Sequence, residues 1–164
     1  MTSLTTATDR GFFIWLDPGK TTGVACYQLY AARFKSFQGD FNEVGDEVEV
    51  MLDVESGNAA IGWEQYLVTK GRAGTASYSL EMIGVLKRLA YVHHAVVLPA
   101  MPSSARKLGD DPKLRALGWY KPGLRHANDA ANHLLAYLLR ERMLPASMQA
   151  RLADSLWTSE ATSG

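Results

Sequence analysis

The stretch GFFIWLDPGKTTG, residues 11–23, decides the architecture. Gly11 to Leu16 is apolar without interruption, and Asp17 closes the run. A short continuous apolar segment bounded by turn residues reads as a strand buried on both faces, at the centre of a sheet. Pro18-Gly19, with Gly23 shortly after, marks a tight turn. Working outward, Val24–Tyr30 and Arg33–Gln38 continue as two more strands of a meander. Asn42–Val54 carries Val44, Val48, Met51 and Leu52 at helical spacing among acids, an amphipathic helix. Ala59–Glu64 is a second buried strand that, like the first, ends in a carboxylate.

The stretch 65–74 reads as a Gly- and base-containing loop. Thr75–His93 follows as a long helix with Leu80, Ile83, Leu86, Leu89 and Ala90 as its apolar stripe. Ala95–Pro99 (AVVLP) is a fifth strand. Residues 102–123, rich in Pro, Gly and base, read as irregular apart from a short helix near Ser103–Leu108. His126–Met143 is a strong helix, with Ala127, Ala130, Ala131, Leu134, Leu135 and Leu138 on one face. A last helix follows Pro145, to about Trp157. The order β-β-β-α-β-α-β-α predicts an α/β domain: a mixed five-stranded sheet, three strands antiparallel and the rest separated by helices, with helices on both faces. It divides as a polar N-terminal extension (1–10), the main domain (11–145), and a C-terminal helix with a frayed tail (146–164).

The 164 residues suffice for one self-supporting core, and 47% hydrophobic with 21% charged content excludes disordered and coiled-coil classes. No apolar run approaches the ~20 residues of a membrane span. Residues 1–10 lack the apolar centre of a signal peptide, and the single cysteine, Cys26, forms no internal disulfide. A cytoplasmic protein without membrane association is expected. Seventeen basic residues balance seventeen acidic ones, yet the two are segregated. Residues 38–64 hold eight acids and no Lys or Arg, whereas 65–126 hold ten bases against three acids, a net of +7. Such asymmetry allows an electropositive face, as a polyanion requires, on a neutral chain; a solvated acidic helix beside a solvated basic loop is the plainer account.

Two apolar strands end in acids, Asp17 and Glu64. If those strands are neighbours, the carboxylates lie side by side at the sheet end where such folds place ligands. Carboxylates at close range repel unless a cation lies between them, and hard divalent cations prefer oxygen donors. On the strong helix, His126, Asp129 and His133 are spaced i, i+3, i+7 and share a face off the Ala/Leu stripe. Singly, Asp17 also suits a turn and Asp129 a solvated first helical turn. Gly19-Lys20-Thr21 ends like a phosphate loop, but the required leading glycine falls at Ile14, inside the strand. The Asp-x-Gly-x-Thr pattern is also similar to the phosphate loop of actin-like ATPases, which need two lobes. Cys26 reads as a core residue, and His93 and His94 as surface residues closing a helix. No cysteine pairing supports a structural zinc site.

These acids carry a resemblance to the RuvC-type Holliday junction resolvases. Residues 14–23 (IWLDPGKTTG) resemble that family's opening, in which the first strand ends in Asp-Pro-Gly before a Gly-containing hairpin. Trp63-Glu64-Gln65 resembles its second acidic motif. His126-Ala-Asn-Asp129-Ala130-Ala131 resembles its last, on the final main helix. The resemblance covers residues 11–142 and implies a ribonuclease H-like fold and a two-metal endonuclease nicking four-way junctions. By position it makes Asp17, Glu64, His126 and Asp129 the catalytic and metal-binding residues, for two Mg²⁺ ions with Mn²⁺ as substitute. His126 stands where other members carry a fourth carboxylate. The loop 65–74 would face DNA, with Lys70 and Arg72 on phosphates and Tyr66 or Leu67 against unstacked bases. Arg106 and Lys107 belong to a second basic cluster. The resemblance further implies a homodimer through helix 75–93, with Tyr78, Met82 and Tyr91 as candidate contacts that core packing explains equally well, and the missing Gly-x-Gly segment points to a divergent phage-type member. A related nuclease acting on flaps, forks or RNA–DNA hybrids, and a catalytically silent DNA-binding module, are the alternatives.

Overall fold

A computed structural model describes residues 7–64, 73–99 and 107–161. Its strands are β1 (Phe12–Asp17), β2 (Thr22–Gln28), β3 (Arg33–Gly39), β4 (Ala59–Trp63) and β5 (Val96–Val97). Its helices are α1 (Phe41–Val54), α2 (Ala73–Val92), α3 (Asp111–Leu117), α4 (Arg125–Arg140) and α5 (Ala146–Ala161). The sheet runs β3-β2-β1-β4-β5, so the apolar run of the opening stretch is indeed central. β1, β2 and β3 pair antiparallel, whereas β4 is parallel to β1 and β5 to β4.

Because side chains alternate along a strand, β1 feeds two cores. Phe13 and Trp15 point to one face, where α4 packs with Leu134, Leu135 and Leu138, joined by Leu114, Leu117 and Leu152. Phe12, Ile14 and Leu16 point to the other, against Val44, Val48 and Leu52 of α1 and Met82, Leu86 and Leu89 of α2. This two-sided burial explains why β1 shows no polar alternation. Cys26 is buried as expected, and burial pushes its thiol up to about 11. Among the described residues, no helix is long and apolar enough to cross a membrane.

Several expectations need correction. Of the α2 stripe read in the sequence, Leu86, Leu89 and Ala90 are buried and Ile83 is half-buried, but Leu80 is exposed, and Ser79 and Met82 join the buried face instead. Next to Leu80, the buried Ser79 hydroxyl donates to the Pro18 carbonyl at 2.9 Å and turns that position of the first turns inward. Of the two readings open for these residues, Met82 takes the core one, while Tyr78 and Tyr91 are exposed. β5 is reduced to two paired residues, Val96 with Ala60 and Val97 with Ile61; Pro99 soon after lacks the amide a longer ladder needs.

The segment expected to be irregular contains α3. Asp110 caps it by accepting from the Lys113 amide at 2.9 Å, Pro112 sits in its first turn, and Gly118 ends it at φ +74°. Those start and stop signals are present in the sequence. The short helix expected near Ser103–Leu108 falls mostly outside the described residues; Lys107 and Leu108 form an exposed turn. His93 is not a surface residue: its side chain is largely buried, with Nδ1 3.9 Å from Asp53. α5 runs to Ala161, beyond the expected end.

Candidate metal centre

One row of sheet register builds the site. Gln38 of β3 pairs with Gly23 of β2, and Gly23 pairs with Asp17 of β1. On the other side the Glu64 amide donates to the Leu16 carbonyl at 3.1 Å, one residue past the last paired position of β4. Three strands thus deliver Gln38, Asp17 and Glu64 to the same end of the sheet.

Gly23 lets α4 reach that row. A Cβ there would lie 1.9 Å from the His126 carbonyl oxygen, so only glycine allows the helix to rest on β2 at this point. α4 starts without a cap of its own, since Leu124 offers no side-chain acceptor. Gln38 supplies it from across the sheet: its Oε1 accepts from the His126 amide at 3.1 Å and the Ala127 amide at 3.4 Å. The approach to α4 is pinned as well. Buried Asn128 accepts from the Lys121 amide and donates to its carbonyl at 2.9 and 2.8 Å, and Lys121 Nζ donates to the Ser36 carbonyl. Sequence reasoning missed Gln38, Asn128 and Lys121 because their partners lie on other elements.

The result is a group of three ligand donors. One donor atom each from Asp17, His126 and Asp129 lies within 4.8 Å of the others. His126 Nδ1 is 2.8 Å from Asp17 Oδ2, and Arg125 Nε is 3.7 Å from Asp129 Oδ2. Burial pushes the Asp17 carboxyl above its ordinary value; His126 pulls it down, and Glu64 pushes it further up. Asp129 is also raised, first by burial and then by Asp17, with Arg125 opposing. Two acids that resist being anions together, beside an imidazole, form a donor set suited to a divalent cation.

Glu64 is outside this group of three, with its Oε2 3.6 Å from His133 Nε2. His133 shares the α4 face of His126 and Asp129, but that face is not simply solvated. Its ring is largely buried and stacked on Trp15, at 6.1 Å between centroids and 19° between planes. Tyr66, Leu67, Lys70, Arg72 and Arg106, expected on DNA, lie outside the described residues, and Lys107 is exposed.

Comparison with known proteins bears on the fold. The chain is similar to a solved structure of T. thermophilus RuvC in complex with a Holliday junction substrate, with a TM-score of 0.58 and 14% identity. The similarity covers 80% of this chain and 95% of that one. No protein-family profile and no curated protein matches the sequence. The fold is therefore RuvC-like: a ribonuclease H-like mixed five-stranded sheet with helices.

Proposed function

We propose that this chain is a divalent-metal-dependent endonuclease that resolves four-way DNA junctions by paired phosphodiester hydrolysis. The observation carrying this reading is the meeting of Asp17, His126 and Asp129 at the end of the central strand in a RuvC-like fold. Asp17, His126 and Asp129 would hold the cation, with Glu64 joining from the end of β4 to complete the shells of two ions. Mg²⁺ is the expected ion and Mn²⁺ its substitute, which the imidazole donor favours. Bound divalent ions supply an acidified water nucleophile and neutralise charge on the phosphoryl oxygens.

The protein's own contribution is preorganisation. Asp17 is held by a central strand and by His126, so its carboxylate needs little ordering. Asp129 is carried one helical turn from His126 on a helix clamped to the sheet by Gln38. Phosphates are met by bases of the stretch 65–126, including exposed Lys107. Symmetric cutting of two strands calls for a twofold dimer, with Tyr78 and Tyr91 of α2 as its exposed contacts. The sequence's departures fit a phage-type member working in the cytoplasm of a bacterial host.

The test incubates the full chain with a labelled four-way junction, a linear duplex, a flap and an RNA–DNA hybrid. Each is run with Mg²⁺, with EDTA, and with Asp17→Asn. Symmetric junction nicks lost with EDTA and in the variant are the expected result. Cleavage of flap or hybrid alone would change the substrate, and binding without any cleavage would leave a DNA-binding module.

A further inference from the structure

We propose that His133 is a positioning residue, holding the Glu64 carboxylate beside the Asp17, His126 and Asp129 group. The inference rests on the metal centre proposed above. The Glu64 backbone is fixed by its hydrogen bond to Leu16, but its side chain is one-third exposed and has three torsions to order. His133 Nε2 lies 3.6 Å from Glu64 Oε2, close enough for a small rotation to make a hydrogen bond.

The imidazole is itself held. His133 has 13% side-chain exposure and stacks on Trp15, which is fully buried in the core. Trp15 in turn lies over Gly62, where a Cβ would meet its ring carbons at 2.6 Å. Gly62 and Trp15 are register partners, so β4 carries the glycine that seats the indole and leads, two residues on, directly into the acid. α4 carries Asp129 and, one turn later, His133. The position of Glu64 is thereby referenced to the same helix that places Asp129. Polar groups that orient metal-binding carboxylates act in this way, through the ligand rather than on the ion.

Two variants separate nitrogen from ring. His133→Phe keeps an aromatic stack on Trp15 and removes the donor; His133→Gln keeps an N–H donor and removes the stack. Mn²⁺ is titrated calorimetrically into the full chain, the two variants and Asp17→Asn, with a thermal melt of each metal-free protein. His133→Phe is expected to bind Mn²⁺ about 10- to 100-fold more weakly while melting close to the parent. His133→Gln is expected to retain most of the affinity and to melt lower. Parent-like affinity in His133→Phe, or equal losses in both variants, would overturn the positioning role. If the larger ring is not accepted, His133→Leu takes its place in the same arm. Should Asp17→Asn bind Mn²⁺ like the parent, the metal centre itself is wrong; loss in Asp17→Asn with none in His133→Phe removes only the role of His133.

Discussion

At the scale of single residues, the centre is a place where charge is held against its preference. Asp129 is raised by burial and by Asp17. A carboxyl whose folded value exceeds its unfolded one binds protons more readily in the folded chain. The associated stability is present below the ordinary value of 3.8 and is lost as pH rises through the folded value. Asp129→Asn, which cannot ionise, should therefore melt higher than the parent at neutral pH without metal. The difference should close as pH falls below ~3.5; thermal melts across pH check both halves. Gly23 is the opposite kind of residue, important for what it lacks. Gly23→Ala drives a methyl into the His126 carbonyl and should cost about 1–3 kcal/mol in urea denaturation. Mn²⁺ binding should fall with it, because the helix carrying two donors must lift from β2.

At the scale of elements, α4 is assembled on the sheet rather than self-contained. Its N-terminal amides are satisfied by Gln38 from the edge strand β3. Gln38→Ala should destabilise the fold by about 1 kcal/mol, the usual cost of losing a helix cap. Amide exchange at His126 and Ala127 should accelerate relative to the middle of α4, and NMR exchange would locate the effect. The same element shows what was legible and what was not. The Ala/Leu periodicity of α4 gave its buried face correctly, because that face answers to the hydrophobic effect alone. In α2 the period locates Leu86, Leu89 and Ala90 in the core and fails only at Leu80, beside the buried Ser79 whose bond to Pro18 hydropathy does not record. α3 was legible in principle from Asp110, Pro112 and Gly118, but seven residues hold too little apolar periodicity to stand out.

At the scale of the whole molecule, the proposed activity couples cation, fold and charge distribution. Mn²⁺ should raise the melting temperature of the parent and leave Asp17→Asn unmoved. Saturation at 100 times the dissociation constant corresponds to about 2.7 kcal/mol. Although the chain is neutral overall, its bases cluster between residues 65 and 126 and its acids between 38 and 64. Junction affinity should consequently fall steeply with salt, as for a basic protein, and a log–log salt titration reads the number of phosphates engaged. A flat dependence would show that net charge, not its distribution, governs binding.

The sequence by itself determined the central strand, the mixed sheet, the acids at two strand ends and the buried face of α4. Each is written in local signals: an uninterrupted apolar run, a turn, a helical period. Only the tertiary structure decided that Gln38, Gly23 and Asp17 share one row, that α4 starts upon that row, and that His133 faces Glu64 while Asp17, His126 and Asp129 meet. These are contacts between residues far apart in the chain, set by strand register and by a glycine's missing side chain. Such quantities exist only once the elements are packed.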